Sequence, residues 1–129
     1  MKRFLATLAL ATVALAAAAC APAQAAPGTP APTVAVDPSS PVVVAKDMKF
    51  QTPNVTAPAG KPFAMTFENQ ESQPHNVSIF TDSSASQRLF EGEIFSSGSR
   101  VYQVPALAAG SYFFRCDVHQ DMTGTIVVK

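Results

Sequence analysis

One histidine and a short C-terminal cluster constrain the fold of this chain more than anything else in it. The cluster is Cys116-Asp117-Val118-His119-Gln120-Asp121-Met122. Far upstream stands Pro74-His75-Asn76-Val77. Cys116, His119 and Met122 are each three residues apart, so one short loop can aim all three side chains at a point. If His75 joins them, the fold must bring a distant segment against that loop. One thiolate, two imidazoles and one thioether then converge.

That donor set has a leading chemical reading. Two histidines and a cysteine make a trigonal site, and a weak axial methionine completes a blue-copper electron-transfer centre. The thiolate is soft, binds deprotonated and suits both copper oxidation states. With every position taken by protein, no site is left open for a substrate, and an enzymatic role is not expected. The ligand set expected for one copper ion is His75, Cys116, His119 and Met122.

The rest of the folded part reads as all-β. From about residue 41 onward, short apolar runs alternate with Gly, Pro, Asn and Ser punctuation, as in a sandwich or barrel. Strands are expected at 42–45, 63–68, 75–80, 100–104, 111–116 and 125–129, with a weaker one near 49–50 or 54–57. Turns are marked by Pro58-Ala59-Gly60 and Ala108-Ala109-Gly110. Residues 83–90 read as a short helix or an irregular excursion. Alternate strand residues share a face. That parity places Phe63, Met65 and Phe67 together inside, and turns His75 and Cys116 toward the interior at strand ends. Met48 and Met65 read as core.

The N-terminus has a different character. Met1-Lys2-Arg3 precedes an apolar run from Phe4 to Ala19, too short for a spanning helix and shaped like an export signal. Two cleavage readings compete. Ala17-Ala18-Ala19-Cys20 resembles a bacterial lipobox, which would leave Cys20 lipidated at the mature N-terminus. Ala23-Gln24-Ala25 is an A-x-A site that would release a soluble protein. A Pro/Ala-rich stretch over 26–40 reads as a tether without secondary structure, which favours the anchored form. The expected organisation is a signal segment at 1–25, a disordered linker at 26–40 and a single β-domain at 41–129. The protein would be exported, to the periplasm or the outer face of the cell membrane. It would touch membrane only through that lipid.

Cysteine arithmetic supports the metal reading. The chain has two cysteines. With Cys20 lipidated or removed, Cys116 has no intramolecular disulfide partner in an oxidising compartment. Charge excludes another class. Without Lys2 and Arg3 the chain is close to neutral and carries no basic stripe, so nucleic-acid binding is unsupported.

On these residues, together with Gly110-Ser111-Tyr112-Phe113-Phe114-Arg115-Cys116 ahead of the cluster, the chain resembles the type 1 copper proteins, the cupredoxins, and within them the amicyanin and plastocyanin branch. The resemblance covers about residues 41–129. It implies a Greek-key β-sandwich and a one-electron carrier, monomeric, that serves redox partner proteins. It implies that Asn76 hydrogen-bonds across to the ligand loop and steadies the thiolate. It also implies that His119 is the ligand nearest the surface, within an apolar patch. Two positions depart from the pattern. Gln120 replaces a proline, which loosens the loop, and Asp117 puts a carboxylate beside the thiolate, which favours oxidised copper. The alternative function is copper sequestration or delivery, although no Met-rich or His-rich tract is present.

Overall fold

The computed structural model describes residues 33–129. The signal segment, Cys20 and the first part of the linker lie outside those residues. Among the described residues nine strands follow in order: β1 Val42–Lys46, β2 Lys49–Phe50, β3 Asn54–Ala57, β4 Phe63–His75, β5 Ser78–Phe80, β6 Arg88–Glu91, β7 Phe95–Val104, β8 Gly110–Arg115 and β9 Thr123–Val128. There is no helix among the described residues. The strands form two sheets, one in the order β2-β1-β4-β7 and the other in the order β3-β9-β8-β5-β6. The result is the β-sandwich anticipated from the sequence.

Alternation explains how the sheets close on each other. Phe63, Met65 and Phe67 of β4 are all buried and belong to one core cluster with Val43, Ile79, Phe114 and Ile126. Phe67 lies at its centre, with ring centroids of Phe95 at 5.4 Å, Tyr102 at 5.8 Å and Phe50 at 6.3 Å. Burying an aromatic of this size contributes about 1.5–3 kcal/mol, and aromatic pairs at these separations add to it.

Two strand assignments differ from expectation in a way that builds the site. The strand expected at 63–68 runs on to His75, and it contains a register break between Asn69 and Pro74. His75 therefore ends β4 in the first sheet, and β5 begins only at Ser78 in the second. Residues 75–78 carry the chain from one sheet to the other, which takes His75 into the gap between them. The segment at 83–90 is not helical. It ends in β6, the edge strand beside β5.

Met48 also departs from expectation. It is 42% exposed rather than core. It occupies the two-residue turn between β1 and β2 with Asp47, and both have positive φ (56° and 53°). That is the backbone of a type I′ hairpin, here without the glycine such turns favour. A side chain at the tip of such a turn points away from the sheets.

Register fixes two poles. β4 ends at His75 opposite Phe95 of β7, and β8 ends at Arg115 opposite Thr123 of β9. These ends share one pole. Phe63, Val104, Gly110 and Val128 mark the other. At that second pole the segment before β1 is attached to the sandwich. Gln103 accepts a hydrogen bond from the Val34 N–H (2.7 Å) and donates one to the Val34 carbonyl (3.1 Å).

Candidate metal centre

The loop between β8 and β9 carries Cys116, His119 and Met122. Two backbone bonds close it: Met122 N–H donates to the His119 carbonyl at 2.9 Å, and Cys116 N–H to the Met122 carbonyl at 3.0 Å. The loop is thereby folded back on itself, even though Gln120 stands where a proline would have stiffened it. The crossing between sheets delivers His75 to the same place.

The three nitrogen and sulfur donors face one another. Cys116 Sγ lies 3.7 Å from His75 Nδ1 and 4.0 Å from His119 Nδ1, and the two Nδ1 atoms are 3.1 Å apart. All three atoms lie within 4.8 Å of one another. Zinc, as a first-row yardstick, holds imidazole nitrogen at about 2.0–2.1 Å and thiolate at about 2.3 Å. Donors at those radii, spread evenly in a plane, stand about 3.5 Å apart for N–N and about 3.8 Å for N–S. The two N–S edges bracket the second value and the N–N edge falls short of the first by less than about half an ångström, so the residues present fit a first-row metal ion. Met122, buried at 2% exposure, packs in the same core cluster as Cys116.

Burial grades across the centre. His75 and Cys116 are fully buried, whereas His119 is half-buried beside the exposed Val118. An imidazole edge is therefore the part of the triangle nearest solvent. Burial holds His75 below the usual histidine pKa, and the neighbouring Glu71 opposes that shift. A neutral ring is what a metal ligand requires.

A layer of polar contacts surrounds the donors. On the far side of its ring, His75 Nε2 lies 2.8 Å from Glu71 Oε1, which also accepts the Met48 N–H at 3.0 Å. Glu71 sits in the irregular part of β4. Asn69 pins that stretch through its Nδ2, which donates to the carbonyls of Gln73 (2.7 Å) and Phe95 (2.9 Å), and the Ser97 hydroxyl donates to the Glu71 carbonyl at 2.9 Å. Asn76 is fully buried. Its Oδ1 accepts the Asp117 N–H at 2.9 Å, and its Nδ2 donates to Asp117 Oδ2 (2.8 Å) and to the Gly92 carbonyl (3.0 Å).

Glu71, Asn69, Ser78 and Arg88 were not singled out by sequence reasoning. Glu71 is four residues before His75, a separation that brings no contact along a regular strand. Only the irregularity in β4 makes them neighbours, and nothing in the polar run 68–73 announces it. The Asp117 carboxylate is paired, with Arg88 Nη2 at 3.0 Å from its Oδ1.

A family model described as the cupredoxin-like domain matches residues 7–128. The chain belongs to the cupredoxin family. Over 91 residues this cupredoxin is 40% identical to Amicyanin-alpha of Methylorubrum extorquens, covering 70% of this chain and 72% of that one. Among solved structures it is similar to a reduced auracyanin from Roseiflexus castenholzii, with a TM-score of 0.62 at 19% identity, over 70% of this chain and 97% of the other. At that identity the likeness speaks for the fold. A copper(I) form of an amicyanin variant aligns with a TM-score of 0.56 at 26% identity, over 73% of this cupredoxin and 86% of the variant. Among the described residues no helix is long and apolar enough to cross a membrane.

Proposed function

We propose that this cupredoxin is an exported blue copper protein. In this reading it carries single electrons between redox partner proteins through one copper that His75, Cys116, His119 and Met122 would hold. The observation that carries the reading is the triangle of two imidazole nitrogens and one thiol sulfur, with a buried methionine on the same loop. A carboxylate-rich or all-thiolate set would point to other metals, and the thioether distinguishes this set from a zinc site.

Bound copper supplies a one-electron couple. The chain supplies the rest. Cys116 and His75 are sealed from water and held by the packed core, so little has to rearrange when the charge changes. His119 presents its half-buried ring to the outside, where a partner protein can approach within electron-transfer distance. Export and anchoring are part of the proposal. They rest on the 1–25 signal pattern, the 26–40 linker and Cys20 as the lipid-bearing residue.

Reconstitution with Cu(II) tests the reading. An intense thiolate-to-copper charge-transfer band and a reversible one-electron wave are expected, and both should vanish in Cys116→Ser. Tight copper binding without a reversible wave would favour sequestration or delivery instead. Mass spectrometry of the mature N-terminus separates a lipidated Cys20 from cleavage after Ala25.

A further inference from the structure

Asp117 departs from the family pattern, and the structure surrounds it with partners. Its Oδ2 accepts hydrogen bonds from Ser78 Oγ (2.5 Å) and Asn76 Nδ2 (2.8 Å), and its Oδ1 pairs with Arg88 Nη2 at 3.0 Å. Arg88 comes from β6, the edge strand. Its other arm pairs with Glu91 on the same strand. Its guanidinium also lies 5.4 Å from the centre of the Phe80 ring, on the neighbouring strand β5. The side chain is thus held at three points, and one of them is the residue next to Cys116.

We infer that Arg88 is a positioning residue of the metal centre, and that its pairing with Asp117 fastens the ligand loop to the β5–β6 hairpin and cancels the carboxylate charge beside the thiolate. The inference rests on the copper reading above. Its physical basis is charge balance. The oxidised centre carries one positive charge more than the reduced one. An unpaired carboxylate next to Cys116 therefore favours oxidation, and a guanidinium on that carboxylate removes the bias. A surface pair of this kind adds little to stability. Its position, one residue from a ligand, is what gives it a role. The fork geometry matters too, since a planar guanidinium can serve Asp117 and Glu91 at once.

The test is a double-mutant cycle on the copper-loaded protein, read by voltammetry. Arg88→Met keeps an apolar stem over Phe80 and removes the charge. It should shift the equilibrium toward oxidised copper on the order of threefold, roughly 28 mV lower by the one-electron relation. Asp117→Asn should shift it in the opposite direction. The double variant should return close to the wild type, and Arg88→Lys, which keeps the charge, should rescue most of the shift. Melting of the copper-free variants supplies a second measurement. Potentials that stay unmoved while melting temperatures fall would mark the pair as a structural strut and overturn the inference. So would a double variant that keeps the full shift of Arg88→Met. A wild type lacking the charge-transfer band sinks the copper reading itself, which keeps the two failures distinct.

Discussion

Glu71 Oε1 lies 2.8 Å from His75 Nε2, on the side of the ring away from Cys116. The contact leaves Nδ1 free to face Cys116 and His119, so it selects which nitrogen can bind metal. Partners of this kind orient ligating histidines, and losing one typically costs tenfold to a hundredfold in metal affinity. Glu71→Ala should weaken copper binding by about that range, measured by competition with a chelator. Glu71→Gln keeps an acceptor oxygen and should lose less. Equal losses in both variants would show that the charge matters and the acceptor does not.

Asn69 should be a stability hot spot although it touches no donor atom. It is buried and makes two side-chain donations, and its Oδ1 accepts the Glu71 N–H at 3.1 Å. Asn69→Ala leaves these backbone groups without partners, at a cost of about 1–3 kcal/mol. Denaturant titration of the copper-free protein measures it. An unchanged midpoint would mean that the stretch 70–73 holds its shape unaided.

Gly124 has no room for a side chain. A Cβ there would run into the Phe114 ring and stand 2.6 Å from the Pro53 carbonyl oxygen. Gly124→Ala should destabilise the protein by about 1–3 kcal/mol through overpacking. Shortening the ring in Gly124→Ala/Phe114→Leu should recover only part of the loss, since the Pro53 backbone cannot retreat. Full recovery would show that Phe114 alone sets the limit.

Tyr102 sets an alkaline limit. Burial raises its pKa above the ordinary value of 10.0, and the charge of Glu93 raises it further. Its hydroxyl donates to the Glu93 carbonyl at 2.6 Å. The folded state therefore keeps a proton that the unfolded state releases above about pH 10. This contribution is complete below pH 10 and is lost as pH rises from there toward the folded pKa. Stability should fall over that window, and Tyr102→Phe should flatten the fall. An identical alkaline slope in both proteins would assign it to other groups.

The sandwich was legible in the sequence because alternation in β4 and β8 is clear, with Phe63, Met65 and Phe67 on one face. The donor triangle was legible because three of the four candidate residues sit on one loop at fixed spacing. What stayed hidden depends on irregular backbone and on pairings between distant segments. His75 was placed at the start of a strand, but it ends one, because parity cannot reveal where a chain changes sheets. Met48 read as core, but the hairpin turn sends it outward. Arg88 sits 29 residues from Asp117 and meets it only because β6 lies beside β5. No local pattern encodes that meeting.

The clasp between Val34 and Gln103 has a consequence for orientation. Gln103 pairs with Ala64 near the start of β4, whereas Phe95, at the other end of the same strand as Gln103, pairs with His75. At a strand's rise per residue the separation along β7 is roughly 25 Å. Val34 thus meets the sandwich at the pole away from the donors. The clasp leaves the donor end uncovered by its own contact, open to approach from outside.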